Sequence, residues 1–157
     1  MPRPSVPFER WPEHVYDARY GFTWFIAPNI MVDHLTVIDG IEDTVVAMHK
    51  TLDRLLATHG ASVRAHGGLR IIADWRPVKS YTPDARKRFV RELSAGRPIA
   101  SAIVVVAPSN AFLRMAIKGA DMVLALTTRA KIELSSDIDV VLRREGLSEA
   151  RVGAFDW

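Results

Sequence analysis

Three observations predict an α/β fold built on a mixed, mostly parallel central sheet. Apolar runs of strand length alternate along the chain with segments whose apolar residues recur every three or four positions, as on one face of a helix. One run, residues 102–107 (Ala-Ile-Val-Val-Val-Ala), is apolar throughout, as in a strand covered on both faces. Two early strand-like runs are separated only by Pro28-Asn29, a pair suited to a tight hairpin. Alternating strands and helices demand parallel pairing with helical crossovers, and the hairpin adds the antiparallel part.

Taken in order, residues 1–20 read as an irregular arm, because Pro2, Pro4, Pro7 and Pro12 oppose regular structure, while Phe8, Trp11 and Tyr16 are apolar enough to pin it to the body. Residues 22–27 have strand composition and stop at Pro28, and residues 30–38 form the second strand, closed by Asp39-Gly40. Ile41, Val45, Met48, Leu52 and Leu55 then share one helical face, Glu42 and Asp43 suit the positive end of the dipole, and Gly60 reads as the stop. Gly67-Gly68 lead into a buried strand over 69–73.

Thr82-Pro83-Asp84 opens the second helix, with Thr82 as N-cap and Pro83 at the first helical position. Ala85, Phe89 and Leu93 are its apolar seam. The strand over 99–107 follows and ends at Pro108. Ser109 or Asn110 caps a third helix that offers Phe112, Met115, Ala116 and Ile117 to the core. Residues 122–127 read as the last short strand. Ser136 caps a fourth helix, with Asp139 three residues on and Val140, Val141 and Leu142 facing inward. The expected organisation is an arm (1–20), one domain (21–150) and a tail (151–157).

A length of 157 residues suffices for one buried core. No apolar run approaches the roughly 18 residues of a membrane span, and the Pro-rich start lacks the apolar centre of a secretory signal. The absence of cysteine excludes disulfides and thiolate chemistry and fits a cytoplasmic location. The net charge of +3 is unevenly placed. Residues 70–97 carry eight Lys/Arg against three Asp/Glu, whereas the flanking segments carry six against eight and seven against seven. The basic excess therefore sits on the segment around Asp74-Trp75-Arg76 and the helix after it. Such a surface suits an anionic partner. No interleaved aromatic platform accompanies it, so nucleic acid is not expected.

The element order, together with Asp74-Trp75-Arg76, Tyr81 with Ala85-Arg86, the Val-rich strand before Pro108, and Leu113-Arg114-Met115-Ala116, resembles the SpoIIAA-like folds that include the STAS domains of anti-sigma-factor antagonists. The resemblance covers residues 20–148. It implies a non-enzymatic regulatory module that docks a kinase or an anti-sigma-like regulator, switched by phosphorylation at the start of a helix. Its Asp-Ser pair is not reproduced: Trp75 follows Asp74, and hydroxyls come only at Ser80, Tyr81 and Thr82.

The expected contact surface is Asp74, Trp75, Arg76 and Tyr81 with the basic residues Lys87, Arg88 and Arg91. Ser80 and Thr82 are the candidate phosphate acceptors, where a helix N-terminus and Arg86 would hold the phosphate. Trp75 and Arg76 are residue types enriched at binding hot spots. The alternative is a small-molecule or lipid carrier with an apolar cavity lined by Trp24, Phe25, Phe112 and Met115. An enzyme using Asp74 as base and Arg76 as anion clamp is disfavoured, because the adjacent arginine would lower the carboxyl's pKa. His14, His34, His49, His59 and His66 show no metal-ligand spacing and are expected to be solvent-exposed structural residues. No Gly-x-Ser-x-Gly elbow is present. No catalytic residue, metal or cofactor is expected, and Trp11 and Trp157 in the two tails could pair copies of the chain.

Overall fold

Six strands make the central sheet of the computed structural model, which describes residues 3–127, 130–147 and 152. In chain order the elements are β1 (Val15–Asp17), β2 (Gly21–Ile26), β3 (Ile30–Leu35), β4 (Asp39–Gly40), α1 (Glu42–Ala65), β5 (Leu69–Asp74), β6 (Ser80–Tyr81), α2 (Pro83–Leu93), β7 (Ile99–Val105), α3 (Ala111–Thr127), β8 (Lys131–Ser135) and α4 (Ile138–Arg144). The sheet runs β1-β2-β3-β5-β7-β8. Its first two pairings are antiparallel and the other three parallel. The short strands β4 and β6 pair separately. The fold is thus α/β with a mixed, mostly parallel sheet. Among the described residues no helix is long and apolar enough to cross a membrane.

Alternation along the strands divides the molecule into two cores. Phe22, Trp24, Ile26, Ile30, Val32, Ile72, Ile103 and Val105 face one way, where the arm (Phe8, Trp11) and α4 (Ile138, Val141, Leu142) cover them. Phe25, Met31, Leu35, Leu69 and Val104 face the other way, against α1 and α3 (Leu52, Leu55, Val63, Leu113, Ile117). The arm is docked through a cluster of rings: Phe8 stacks on Trp24 at 5.2 Å, and Trp11 meets both edge-on. The Trp24 indole N–H donates to the Pro12 carbonyl at 2.6 Å.

Several sequence expectations are corrected. Helix α1 does not stop at Gly60 but runs to Ala65. The cost of a mid-helix glycine, about 1 kcal/mol, is outweighed by burial of Val63 beyond it, and the turn into β5 is made by Gly67 and Gly68 at positive φ. Residues 122–127 are not a strand but the last turns of α3. Met, Leu and Ala are strong helix formers, and no proline interrupts them. The last strand is Lys131–Ser135, in which Ile132 and Leu134 alternate with Lys131 and Glu133.

In α3 the buried seam is Leu113, Ile117 and Ala120, whereas Phe112 and Met115 are 63% and 73% exposed. Asn110, not Ser109, is the cap: its side-chain oxygen accepts from the Leu113 N–H at 3.0 Å. Asp137, not Ser136, caps α4, and Val140 faces outward while Ile138, Val141 and Leu142 are buried. Strand β1 gives the arm a regular piece. Apart from Val152, the tail over 151–157, with Trp157, lies outside the described residues.

Candidate functional site

Strand β5 ends at Asp74, and consecutive residues there point to opposite faces of the sheet. The contact surface expected from sequence is therefore divided. Asp74 and Arg76 belong to the arm side, Trp75 and Tyr81 to the helix side.

On the helix side, α2 and α3 leave an apolar cleft over the sheet. It is lined by Trp75, Tyr81, Ala85, Phe89, Ala116 and Ala120 among others, with a cavity of about 170 Å³. A second cavity of about 90 Å³ adjoins it beneath α1 and α2, and Met48, Trp75 and Phe89 line both. Trp75 is fixed from two directions. Its backbone N–H donates to the Val105 carbonyl at 2.8 Å, and its ring meets Phe89 edge-on at 5.5 Å. Tyr81 stacks on Phe112 at 5.4 Å. The Trp75 Nε1 and the Tyr81 hydroxyl are both shielded from solvent and have no hydrogen-bond partner among the described residues. Leaving such a group unsatisfied costs about 1–3 kcal/mol. Arg86 lines the same cleft, is exposed, and forms no ion pair among the described residues.

The inner cavity contains Asp33. Its carboxyl accepts from the Thr23 hydroxyl, which in turn bonds the Tyr20 hydroxyl at 2.7 Å, and Tyr20 reaches Thr51 at 3.1 Å. With hydroxyls as partners and no cation, burial pushes Asp33 up to about 7, against the pull of the Thr23 bond. Burial also raises the Tyr20 phenol and lowers His49, which lines the same cavity.

On the arm side Asp74 is fully buried. It accepts from Arg76 through Nε at 2.7 Å and Nη2 at 2.8 Å, and it pairs with His34 Nδ1 at 2.8 Å. Burial alone would raise this carboxyl, but the bonds from Arg76 and His34 outweigh it and hold it below the ordinary range. His34 is 1% exposed, contrary to the solvent-exposed role expected for it, and its Nε2 lies 3.0 Å from the Ser5 hydroxyl. Gly21 permits this packing, since a β-carbon there would run into the His34 carbonyl oxygen. His14, His49 and His59 are half-buried as well, and of the five histidines only His66 is exposed.

The remaining expected residues are scattered. Asp74, buried and satisfied, offers nothing to a docked partner, and Arg76 is held by Asp74 and by the Val6 carbonyl at 3.0 Å. Arg88 is engaged with Glu92 at 2.8 Å and lies 3.8 Å from Glu42. Lys87 and Arg91 are exposed, Lys87 lying 4.0 Å from Asp84. Thr82 caps α2 by accepting from the Ala85 N–H at 3.1 Å, while Ser80 is exposed and bonded to Asp39. None of Trp24, Phe25, Phe112 and Met115, expected to line a cavity, lines this one. Trp24 lies under the arm, Phe25 under α1, and the other two face outward.

Residues that sequence reasoning missed are Asp33 and His34, each set among apolar neighbours in a strand, where an acid and an imidazole on opposite faces break the hydrophobic pattern. Among the described residues no group of three His, Asp or Glu side chains is arranged to hold a metal ion. Compared with protein-family models, curated proteins and solved structures, the chain finds no match.

Proposed function

We propose that this protein is a STAS-like binding domain whose cleft between α2 and α3 takes a small amphiphile: an apolar body with a hydrogen-bond acceptor and an anionic end. The observation that carries this reading is the pair of shielded groups without a partner among the described residues, Trp75 Nε1 and Tyr81 Oη, in a mostly apolar cleft. An indole N–H only donates, so its complement is an acceptor such as a carbonyl or carboxylate. A ligand that supplies it recovers the cost of leaving the group unpaired. A cavity of about 150 Å³ is known to hold a benzene ring, so about 170 Å³ suits one ring or a short alkyl chain. Arg86 at the cleft suits a carboxylate extending toward solvent. What supports the STAS-like assignment is the order of the main elements, strand-strand-helix followed by three strand-helix units, and the parallel neighbours β3-β5-β7-β8.

The test is titration with decanoate and with phenylbutyrate, followed by tryptophan fluorescence and calorimetry. Saturable binding that is lost in Ala116→Leu, a substitution that fills the cleft, supports the reading. Heats and fluorescence that do not respond to either acid, or that respond equally in Ala116→Leu, sink it.

A second reading, a regulatory module that docks a protein partner, draws support from the exposed Lys79, Ser80, Arg86, Lys87 and Arg91 along β6, α2 and the residue before β6. It requires a polypeptide that co-purifies with the native protein and is lost in Lys87→Glu/Arg91→Glu.

A further inference from the structure

Three side chains far apart in sequence converge on the arm side of the sheet, away from the cleft. Ser5 comes from the arm, His34 from β3 and Asp74 from the end of β5. The Ser5 hydroxyl oxygen lies 3.0 Å from His34 Nε2, and His34 Nδ1 lies 2.8 Å from Asp74 Oδ2. We infer that these residues form a reactive-serine triad, with Ser5 as a nucleophile toward small activated esters.

The protonation pattern follows from donors and acceptors alone. Arg76 donates to both oxygens of Asp74, which is therefore a carboxylate and accepts only. The proton between Asp74 and His34 then belongs to His34 Nδ1. In the neutral ring this leaves a lone pair on Nε2, which faces the Ser5 hydroxyl and also receives the Ser5 backbone N–H at 3.5 Å. This is the tautomer that a general base for a serine hydroxyl needs.

Burial grades in the useful direction. Asp74 is fully buried and His34 is 1% exposed, while Ser5 stands at the surface where a substrate can reach it. The geometry is also held. The His34 ring lies 5.0 Å from that of Phe8 and 6.3 Å from that of Phe22. The Ser5 carbonyl accepts from the Phe8 N–H at 2.8 Å, and the next carbonyl, of Val6, accepts from Arg76 at 3.0 Å.

In the reaction the Ser5 oxygen forms a bond to the acyl carbon as its proton passes to His34 Nε2. The bond to the leaving alkoxide breaks, and that oxygen takes the proton from Nε2. Water then repeats the two steps on the acyl-serine, releasing the acid and restoring Ser5. Arg76, paired with Asp74 and bonded to the adjacent Val6 carbonyl, ties the arm beside Ser5 to the acid of the triad. Ser5 is exposed, and its apolar neighbour Val6 is 65% exposed, so the surface suits short acyl groups and good leaving groups rather than peptides.

The experiment treats the full chain with a biotinylated fluorophosphonate and locates adducts by peptide mass spectrometry. This probe reports the same attack, with the Oγ–P bond formed, the P–F bond broken and the proton carried to fluoride by His34. The expected result is a single main adduct on Ser5, forming at least about tenfold faster than any adduct on the exposed Ser80 or Ser109, since a positioned base contributes that much or more. Ser5→Ala removes it, and His34→Gln slows it at least about tenfold. The comparison with Ser80 and Ser109 is internal to the wild-type protein, so it stands even where His34→Gln misfolds. Labelling of Ser5 no faster than of Ser80, or no adduct on Ser5, overturns the inference and leaves the three residues as a clip for the arm.

Discussion

Asp33 and Asp74 are both buried acids on neighbouring strands, and they behave oppositely. Asp33, on the helix side, has hydroxyls for company and is pushed up to about 7. Asp74, on the arm side, has the Arg76 guanidinium and the His34 ring and is held below the ordinary range. Burial is common to both, so the charge of the partner decides the sign. The same difference marks the two faces as a whole. The arm side matches its buried charge with charge and closes over a continuous cluster of rings. The helix side keeps cavities and, in Trp75 Nε1 and Tyr81 Oη, two shielded polar atoms without partners among the described residues.

The largest expected effect comes from removing the compensated charge. Asp74→Ala leaves Arg76 half-buried without its carboxylate and His34 without its acceptor, and should cost about 3–5 kcal/mol in urea denaturation. A loss under about 1 kcal/mol would mean that the arm side does not depend on this cluster.

Next is the pH slope from Asp33. Its folded pKa is raised, so its contribution to stability is complete below about pH 4 and is lost as pH rises through about 7. Asp33→Asn, which keeps an acceptor for Thr23, should remove a change on the order of a few kcal/mol between those limits. Urea midpoints at pH 4.5 and 7.5 check this, and an unchanged slope in the variant would remove Asp33 from the account. Asp74 runs the other way: its contribution is present at neutral pH and is lost as pH falls below about 4.

Smaller still is Thr82→Ala, expected to lower stability by about 1 kcal/mol through loss of the α2 cap. Thermal melting would show it as a downward shift, and an unshifted melt would mean the α2 start is held by other contacts. Smallest is Ala116→Leu, which fills part of the cleft and should leave stability within about 1 kcal/mol of the parent, while a comparable insertion into a close-packed core costs 1–3 kcal/mol. A larger loss would show that the cleft closes in solution.

The start of α2 was legible because Thr82-Pro83-Asp84 encodes its own cap and first turn. The hairpin and the parallel strands were legible because each run carries its periodicity locally. The end of α3 was not: an apolar run such as 122–127 fits a strand or a buried helix, and length and contacts decide. The alternation that marks Lys131–Ser135 as the last strand was present but shorter and half-polar.

The segment around Asp74 shows the limit most clearly. Sequence located a cluster of charge and aromatic residues after a strand, yet placed it all on one surface. By itself the sequence determined the fold class, most helix and strand positions, and the basic excess of residues 70–97, since these depend on local composition and spacing. Only the tertiary structure decided that His34 meets Asp74 on one side of its ring and Ser5 on the other, that Trp75 turns instead into a cleft, and that the two buried aspartates titrate in opposite directions. Those outcomes depend on contacts between residues distant along the chain, and on how far each group is removed from water, which no local pattern records.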